Sequence, residues 1–569
     1  MELLWNAAWR LFSILRLAGV TPLNIVLIAA ICGVFCFYPG FFARMLRRSQ
    51  LLWDAVPNRA VSAIIIAAVF PLIVRLLLLP FMPPPLPHIE DEFSNLLAAD
   101  TFSHWRLTNP THPLWPFFET FHVFEQPTYM SMYPPLPGMV LAFGKIIFGH
   151  PWWGEFLSVG IMCGAVCWML QAFLPAGWAL LGSVAVGIEF GITFYWMNSY
   201  WGSTVAPVGA CLLIGSVSRL LLPRHGTQGP ALYGTLAGLG IAILANSRPW
   251  EGLVLSIATG GTVLYGLVSA KQAGARRAIL RALLPCVIVL AIGALATTYY
   301  CWRLTGDPLL LPYQLDRNMY AVAPVFVWEQ SRPAPSYHHE VMRRLYVGFE
   351  PSYQNADRQS TLRGWAREQP NRYRMVKDVF FGNFFTILLL LCSASLFRQP
   401  AARFLLFILA LFLIGIGLQR YIAPHYIAPI LGVAAALKMI TLRRLHACRW
   451  RGKKLGQALA VSVVVCGTIT LLRNAAAQPP QSDFALQRAS IEKQLEAEQR
   501  PQLVIVRYAS THNVQEEWVY NAADIDAAKV VWARDMSEEQ NTKLLNYFPD
   551  RTSWLLEPDV NPLHLKPYR

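Results

Sequence analysis

Apolar runs of membrane-crossing length recur along this chain, and their recurrence constrains the fold more than any single motif. They fall near residues 18–40, 61–81, 152–174, 178–196, 204–222, 231–246, 251–269, 282–299, 380–397, 403–418, 422–440 and 457–474. A helix needs about 20 apolar residues to cross a hydrocarbon core of about 30 Å. The runs therefore predict a polytopic α-helical membrane protein with about twelve spans. Composition agrees: with 55% hydrophobic and 14% charged residues among 569, a water-soluble chain would lack the polar side chains to cover its surface. A thirteenth run, "MVLAFGKIIFGH" (139–150), is too short to cross alone and contains Lys145, so it reads as a juxtamembrane or re-entrant helix packed on protein.

The net charge of +15 would suggest nucleic acid in a soluble protein, but here the basic residues sit in short segments between apolar runs. Alternate loops carry Arg44, Arg47, Arg48 and Arg59; Arg219 and Arg224; Lys271, Arg276, Arg277 and Arg281; Arg398 and Arg403; and "LRRLHACRWRGKK" (442–454). The positive-inside rule assigns these five loops to the cytoplasm. The long segments near 82–138 and 300–379 and the tail from about 475 are then expected to face outward. "MELLWNAAWRLFSILR" at the start lacks the cleavage site of a signal peptide and reads as an interfacial helix. Most of the ten cysteines lie inside apolar runs, which argues against a disulfide or zinc framework. In the tail, "QLVIVRY" and "KVVWARD" read as buried strands between helical segments, predicting a small α/β domain.

The second apolar run ends in "MPPPLPHIEDE". Its prolines stop the helix, and Glu90, Asp91 and Glu92 follow at the water boundary. Acids at a helix N-terminus are favoured by the macrodipole and can be merely solvated. Here they begin "DEFSNLLAADTFSHW", whose Phe93, Leu96, Leu97 and Phe102 have the spacing of an amphipathic interfacial helix facing lipid or protein. Carboxylates held between a span end and such a helix stand where a lipid-borne head group would surface.

"DEFSNLLAADTFSHWRLTNP", "YPPLPGMVLAFGKIIFGH" and "RYIAPHYIAPILGVAAAL", in that order, resemble motifs of GT-C fold membrane glycosyltransferases, in particular the subgroup of protein O-mannosyltransferases and bacterial lipid A aminoarabinose transferases. The likeness spans most of residues 61–440. It implies an inverting glycosyltransferase that moves a sugar from a polyprenyl-phosphate carrier to a lipid, glycan or protein acceptor on the non-cytoplasmic side. It also implies Asp91 as catalytic base, with Glu92 its neighbour. The division expected is an N-terminal interfacial helix and extra span (1–60), a GT-C-like transmembrane catalytic domain (61–475) and a small soluble domain on the outer face (476–569). Two departures stand out. Met132 and Tyr133 precede Pro134 and Pro135 where family members carry Glu-Lys, and "MNSYWGS" (197–203) offers Asn198 and Tyr200 but no carboxylate.

Inversion needs a carboxylate to take the acceptor's proton and a cation to receive the departing phosphate. Arg248 in "NSRPWEG", where the family has Lys-Gly-Pro, is the leading phosphate ligand. Arg420 with Tyr421 in "QRYIAPHY", Arg106, Tyr133 and Tyr200 complete the expected substrate contacts. Arginine at a span end also anchors lipid head groups, which is the competing role. His88, His104, His112 and His122 with Glu119 and Glu125 crowd the first outer segment; they match no compact metal motif and read as packing or acceptor contacts, a divalent cation remaining an open option. The same holds for His338 and His339. No Walker loop, nucleophile elbow, HExxH or dinucleotide fingerprint is present. The rival functions are a lipid-linked sugar transporter or flippase, which would use the in-span charges Arg75 and Glu189, and a membrane sensor whose tail is the binding module.

Overall fold

The computed structural model describes residues 56–192, 194–222, 229–269, 273–354, 358–448, 455–476 and 481–568, together with Val26, Ala30, Ile31, Gly33, Trp53 and Asp54. The expected N-terminal interfacial helix, most of the first span and the loop residues Arg44, Arg47, Arg48, Arg224 and Lys271 lie outside the described residues. The membrane part consists of α1 (Arg59–Leu77), α3 (Pro135–Phe148), α4 (Trp152–Leu170), α5 (Ala176–Val186), α6 (Val205–Leu221), α7 (Pro230–Ala245), α8 (Pro249–Ser269), α9 (Ala273–Thr305), α12 (Gly382–Leu391), α13 (Ser393–Phe397), α14 (Pro400–Gly417), α15 (Leu431–Ala447) and α16 (Leu455–Ala476). On one side of it lie α2 (Glu90–Ser103), α10 (Pro312–Tyr320) and α11 (Leu362–Phe380). Among the described residues, α1, α4, α8, α9 and α14 are long and apolar enough to cross a membrane.

Packing in this region inverts the soluble pattern. On α1 the small or compact side chains of Ala63, Ala67 and Pro71, with Arg75, form the buried stripe at i, i+4 spacing, while Ile65, Ile66, Val69, Ile73 and Leu77 are exposed. Apolar solvent removes the penalty for exposed aliphatics, so small residues mark the contact and large ones face lipid. Opposite this stripe, α4 presents Gly160, where a Cβ would stand 2.8 Å from Leu72 and 3.0 Å from the Ala68 carbonyl oxygen.

Two expected spans differ in the structure. The 380–397 run is two helices, α12 and α13, meeting at Cys392. The 422–440 run becomes helical only near its middle, because Pro424 and Pro429 lack N–H donors and disfavour helix in the residue before them; residues 418–430 are turns and a short 3-10 segment that bring Arg420, Tyr421, His425 and Tyr426 to the helix ends. The 139–150 run is α3, 14 residues and so about 21 Å long. Its Met139, Phe143, Ile146 and Ile147 are exposed, and Gly138 and Leu141 pack against protein.

Helix α2 is more enclosed than an interfacial helix with one wet face. Phe93, Leu97 and Phe102 are buried as the pattern requires, but so are Glu90, Glu92, Ser94 and Asn95. The cover comes from the tail. There β4 (Gln502–Val506), β5 (Val530–Arg534), β6 (Thr552–Leu556) and β7 (Leu565–Pro567) form a sheet in the order β5-β4-β6-β7, the first three strands parallel, with α17 (Asp483–Glu496) and α18 (Glu538–Tyr547). Both β4 and β5 are buried at every residue, the mark of parallel strands covered on both faces. The tail shares one apolar core with the first outer segment: Phe93 stacks on Tyr520 with ring centroids 4.5 Å apart, and the Arg488 guanidinium lies 4.6 Å from the Phe93 ring. Polar bonds close the seam, from the Ala523 amide to Asp100 Oδ2 (2.7 Å) and from Arg534 Nε to the Glu119 carbonyl (2.6 Å). The first outer segment contributes its own small sheet, β1 (Asn109–Pro110), β2 (Val123–Phe124) and β3 (Thr128–Ser131), in the order β1-β3-β2.

The crossing of α3 and α4 depends on two glycines. A Cβ on Gly154 would stand 1.9 Å from the Val140 carbonyl oxygen, and one on Gly144 would stand 2.1 Å from the Gly154 nitrogen. Gly154→Ala should therefore destabilise the protein by about 1–3 kcal/mol, seen as a lower apparent melting temperature in detergent; an unchanged melting temperature would show that the two helices do not meet at these residues.

Candidate active site

The acids at the start of α2 diverge around the helix and take three different environments. Glu92 is fully buried. Its Oε2 accepts the His88 amide at 2.9 Å and faces His88 Nδ1 at the same distance, while its Oε1 accepts the Tyr200 amide at 3.0 Å. Expected as a second catalytic acid, Glu92 instead ties α2 to the 197–203 loop. Tyr200, expected as a substrate contact, belongs to the same fastening and donates its hydroxyl to the Pro85 carbonyl at 2.7 Å.

Asp91 is partly exposed, its side chain 17% accessible, and its Oδ1 lies 3.0 Å from His122 Nδ1. Tyr133 brings its hydroxyl within 3.2 Å of the same nitrogen. His122 has a positive φ of 59°, and its carbonyl is held by Ser94 Oγ (2.6 Å) and the Met132 amide (3.1 Å). Burial works against a charged imidazole here, but Asp91 opposite it, with Glu90 and Asp316 nearby, outweighs that and raises the His122 pKa to about 9. Glu90 turns into the protein, where its Oε2 has no hydrogen-bond partner; burial lifts its pKa to about 7. Asp316, on α10, is buried with both carboxylate oxygens unpartnered, and burial raises it to about 6 although His122 and Arg317 pull it down. Its neighbour Arg317 is spent on Glu350 and the Ala323 carbonyl.

Arg248 stands between α7 and α8. Its guanidinium lies 4.4 Å from the centre of the Tyr426 ring. Among the described residues no side-chain or backbone acceptor bonds that guanidinium, and Glu251, one turn on, gives its carboxylate to Gln419 (3.1 Å). Tyr195 hydrogen-bonds His425 Nδ1 at 3.0 Å, and Trp201 packs on His425 with ring centroids 4.0 Å apart. Burial, assisted by the Arg248 charge, keeps His425 neutral by lowering its pKa. The phenols of Tyr195 and Tyr426 are raised chiefly by burial, and each also senses Arg248 and Asp91 with opposite sign. Both charges therefore act on Tyr195 and Tyr426, and Asp91 also acts weakly on Tyr421, whose hydroxyl is 3.1 Å from that of Tyr353.

The remaining expected residues serve the frame. Arg420 donates from Nε to the Phe326 carbonyl (3.2 Å) and from Nη2 to the Glu329 carbonyl (2.8 Å), which fixes the second outer segment to the end of α14. Arg106 follows α2, with its Nε buried and unpartnered. The histidines near the first segment are dispersed: His112 meets Asp526 at 3.1 Å, His338 meets Glu119 at 2.9 Å, and His339 bonds the Pro116 carbonyl at 2.6 Å. Among the described residues no group of three or more His, Cys, Asp or Glu side chains is arranged to hold a metal ion. Sequence spacing carries no sign of Asp316 or of the Asp91–His122 pairing, because the partners come from segments 31 and more residues away.

No protein-family model and no curated protein matches the sequence. Solved structures do match the fold. Over 90% of this chain and 94% of the other, it resembles ArnT from Cupriavidus metallidurans in the apo state, with 12% identity and a TM-score of 0.50. Over 87% of this chain and 67% of the other, it resembles the Archaeoglobus fulgidus oligosaccharyltransferase solved with Zn and sulfate, with 11% identity and a TM-score of 0.50. The same ArnT has been solved bound to undecaprenyl phosphate; that structure aligns at 11% identity over 90% and 93% of the two chains, with a TM-score of 0.43. The fold is thus that of the GT-C membrane glycosyltransferases.

Glu90 makes stability depend on pH. Its folded pKa of about 7 lies above the ordinary 4.5, so folding favours the protonated form and this contribution is lost as pH rises through 7. Glu90→Gln, neutral throughout, should melt at a higher temperature than the native protein at pH 8, with the advantage shrinking below pH 7 and gone near 4.5. Equal melting temperatures at pH 8 would place the Glu90 carboxylate in water.

Proposed function

We propose that this protein is an inverting glycosyltransferase of a bacterial inner membrane, moving a sugar from a polyprenyl-phosphate carrier to an acceptor on the periplasmic side. The observation that carries the reading is that a partly exposed carboxylate, Asp91, and a guanidinium, Arg248, which no acceptor among the described residues bonds and which lies over Tyr426, both act electrostatically on Tyr195 and Tyr426. The fold supports it, and ArnT, which shares that fold, was solved with undecaprenyl phosphate.

In this mechanism the acceptor's O–H or N–H is presented to Asp91. As the acceptor atom bonds to the anomeric carbon from one face, its proton passes to Asp91, and the bond from that carbon to the phosphate oxygen breaks on the opposite face. The electron pair leaves with the polyprenyl phosphate, whose developing charge is met by Arg248 through its fork of donors. Tyr195, Tyr421, Tyr426 and Trp201 offer faces for a sugar ring, and Tyr133 stands on the acid side. Arg106 remains a further candidate for the acceptor side. Which sugar is carried, and whether the acceptor is lipid, glycan or protein, are properties of contacts around this core.

The transporter reading is less well supported, because both in-span charges it would use are engaged. Arg75 is buried and bonded to the Met82 and Pro83 carbonyls and to Asn198, and Glu189 pairs with Lys438 at 3.2 Å. Membranes supplied with undecaprenyl-phosphate-linked sugar labelled in the sugar provide the test. Asp91→Asn should lower transfer by about 10²- to 10⁴-fold and Arg248→Ala by about 10²- to 10³-fold, each at normal protein levels. Full transfer by Asp91→Asn would remove Asp91 as the base, and label crossing the membrane with no glycosidic product would favour transport.

A further inference from the structure

The pairing of Asp91 with His122 is built with more care than a chance contact needs. Ser94, one turn beyond Asp91 on α2, donates to the His122 carbonyl at 2.6 Å and lies 2.7 Å from Ser131 Oγ, while the Met132 amide holds the same carbonyl at 3.1 Å. One helix thus carries the carboxylate and also fastens the backbone of its partner. The backbone of His122 is left-handed, at φ 59°, a conformation that histidine and asparagine tolerate better than most residues. The groups that surround the imidazole are Asp91 and Glu90 from α2, Tyr133 from the segment after β3, and Asp316 and Arg317 from α10, with Tyr346 and Glu350 behind them. Of these, Arg317 and Glu350 neutralise each other, and the two phenols carry no charge at neutral pH. That leaves Asp91, Glu90 and Asp316 around one imidazole. Asp316 has no hydrogen-bond partner at either oxygen, which a buried carboxylate tolerates only with a cation close by or with a proton of its own.

We propose, resting on the reading of Asp91 as the base, that His122 is a positioning residue: its imidazolium, favoured also by the charge of Asp316, orients the Asp91 carboxylate and keeps it deprotonated until the acceptor arrives. His122 touches no substrate in this scheme. Being already protonated, it does not receive the acceptor's proton, which stays on Asp91 and leaves to water once product has gone. Arg248 handles the phosphate on the other side, so the two cations of the site have separate tasks: one prepares the base and the other receives the leaving group.

The test uses the full-length protein in detergent or nanodiscs and the variants His122→Asn, which suits the left-handed backbone and keeps a hydrogen bond without the charge, and Asp316→Asn. A hydrophobic carbodiimide labels protonated carboxyl groups, and mass spectrometry reads labelling of Asp91 as a function of pH without any substrate. In His122→Asn the pH of half-labelling at Asp91 should rise by about one unit or more, the size expected on removing an opposite charge at this distance. In Asp316→Asn the alkaline limb of the transfer rate, set by loss of the His122 proton, should move to lower pH. His122→Asn should also lower kcat by about 10-fold or more, with the KM for undecaprenyl-phosphate-linked sugar little changed.

Identical labelling curves for native protein and His122→Asn, with both folded by size exclusion and thermal melting, would overturn the proposal. If His122→Asn does not fold, an alkaline limb unmoved by Asp316→Asn overturns it. These outcomes are separable from failure of the function itself: transfer that survives Asp91→Asn removes the base, whereas a dead Asp91→Asn with unshifted labelling removes only the role given to His122.

Discussion

The face that carries Asp91 hangs on one buried carboxyl group. Glu92 has no access to water, and a polar group there is tolerable only if hydrogen-bond partners surround it. The chain supplies the amides of His88 and Tyr200, so the proline-rich approach to α2 and the loop after α5 are brought to the same point. Arg75 staples the same two stretches from below, through the Met82 and Pro83 carbonyls and Asn198. With the start of α2 held this way, its first turn leaves Asp91 partly exposed and turns Glu90 into the protein. Three adjacent acids thereby acquire three environments from 100° rotations along a helix.

Around that fixed turn the charges are kept apart. The acid side gathers Asp91, Glu90 and Asp316 about His122, and the basic side leaves Arg248 over Tyr426 with a neutral His425 behind it. The aromatic residues between the two sides lower the local dielectric and strengthen both. The tail adds cover of a different kind: by stacking Tyr520 on Phe93 and bonding the Ala523 amide to Asp100, it helps to bury most of α2.

Much of the membrane architecture was legible in the sequence. Runs such as 61–81 and 152–174 appear as α1 and α4 with boundaries shifted by a few residues, and the short run at 139–150 is a short helix whose apolar face is exposed. Where the reading drifted, proline and local packing were the cause, as in the 422–440 run that turns helical only at Leu431. Asp91 and Arg248 stood out in the sequence because each stands at a helix boundary where a charge is unusual, and the structure leaves the Asp91 carboxylate partly exposed. Glu92, Tyr200 and Arg420 looked equivalent to them and are instead bonded into the frame, a difference that depends on which carbonyls and amides fold against each side chain.

By itself, the sequence determined that the chain enters a membrane, roughly where its helices lie, and that acids and arginines collect at their ends, because hydrophobic run length and charge are local properties of the polymer. Only the tertiary structure decided which of those charges remain free to act. His122 reaches Asp91 across 31 residues, and the charge of Asp316 acts on His122 across 194. Neither pairing leaves a trace in spacing, since burial and electrostatic coupling exist only once distant segments share one volume.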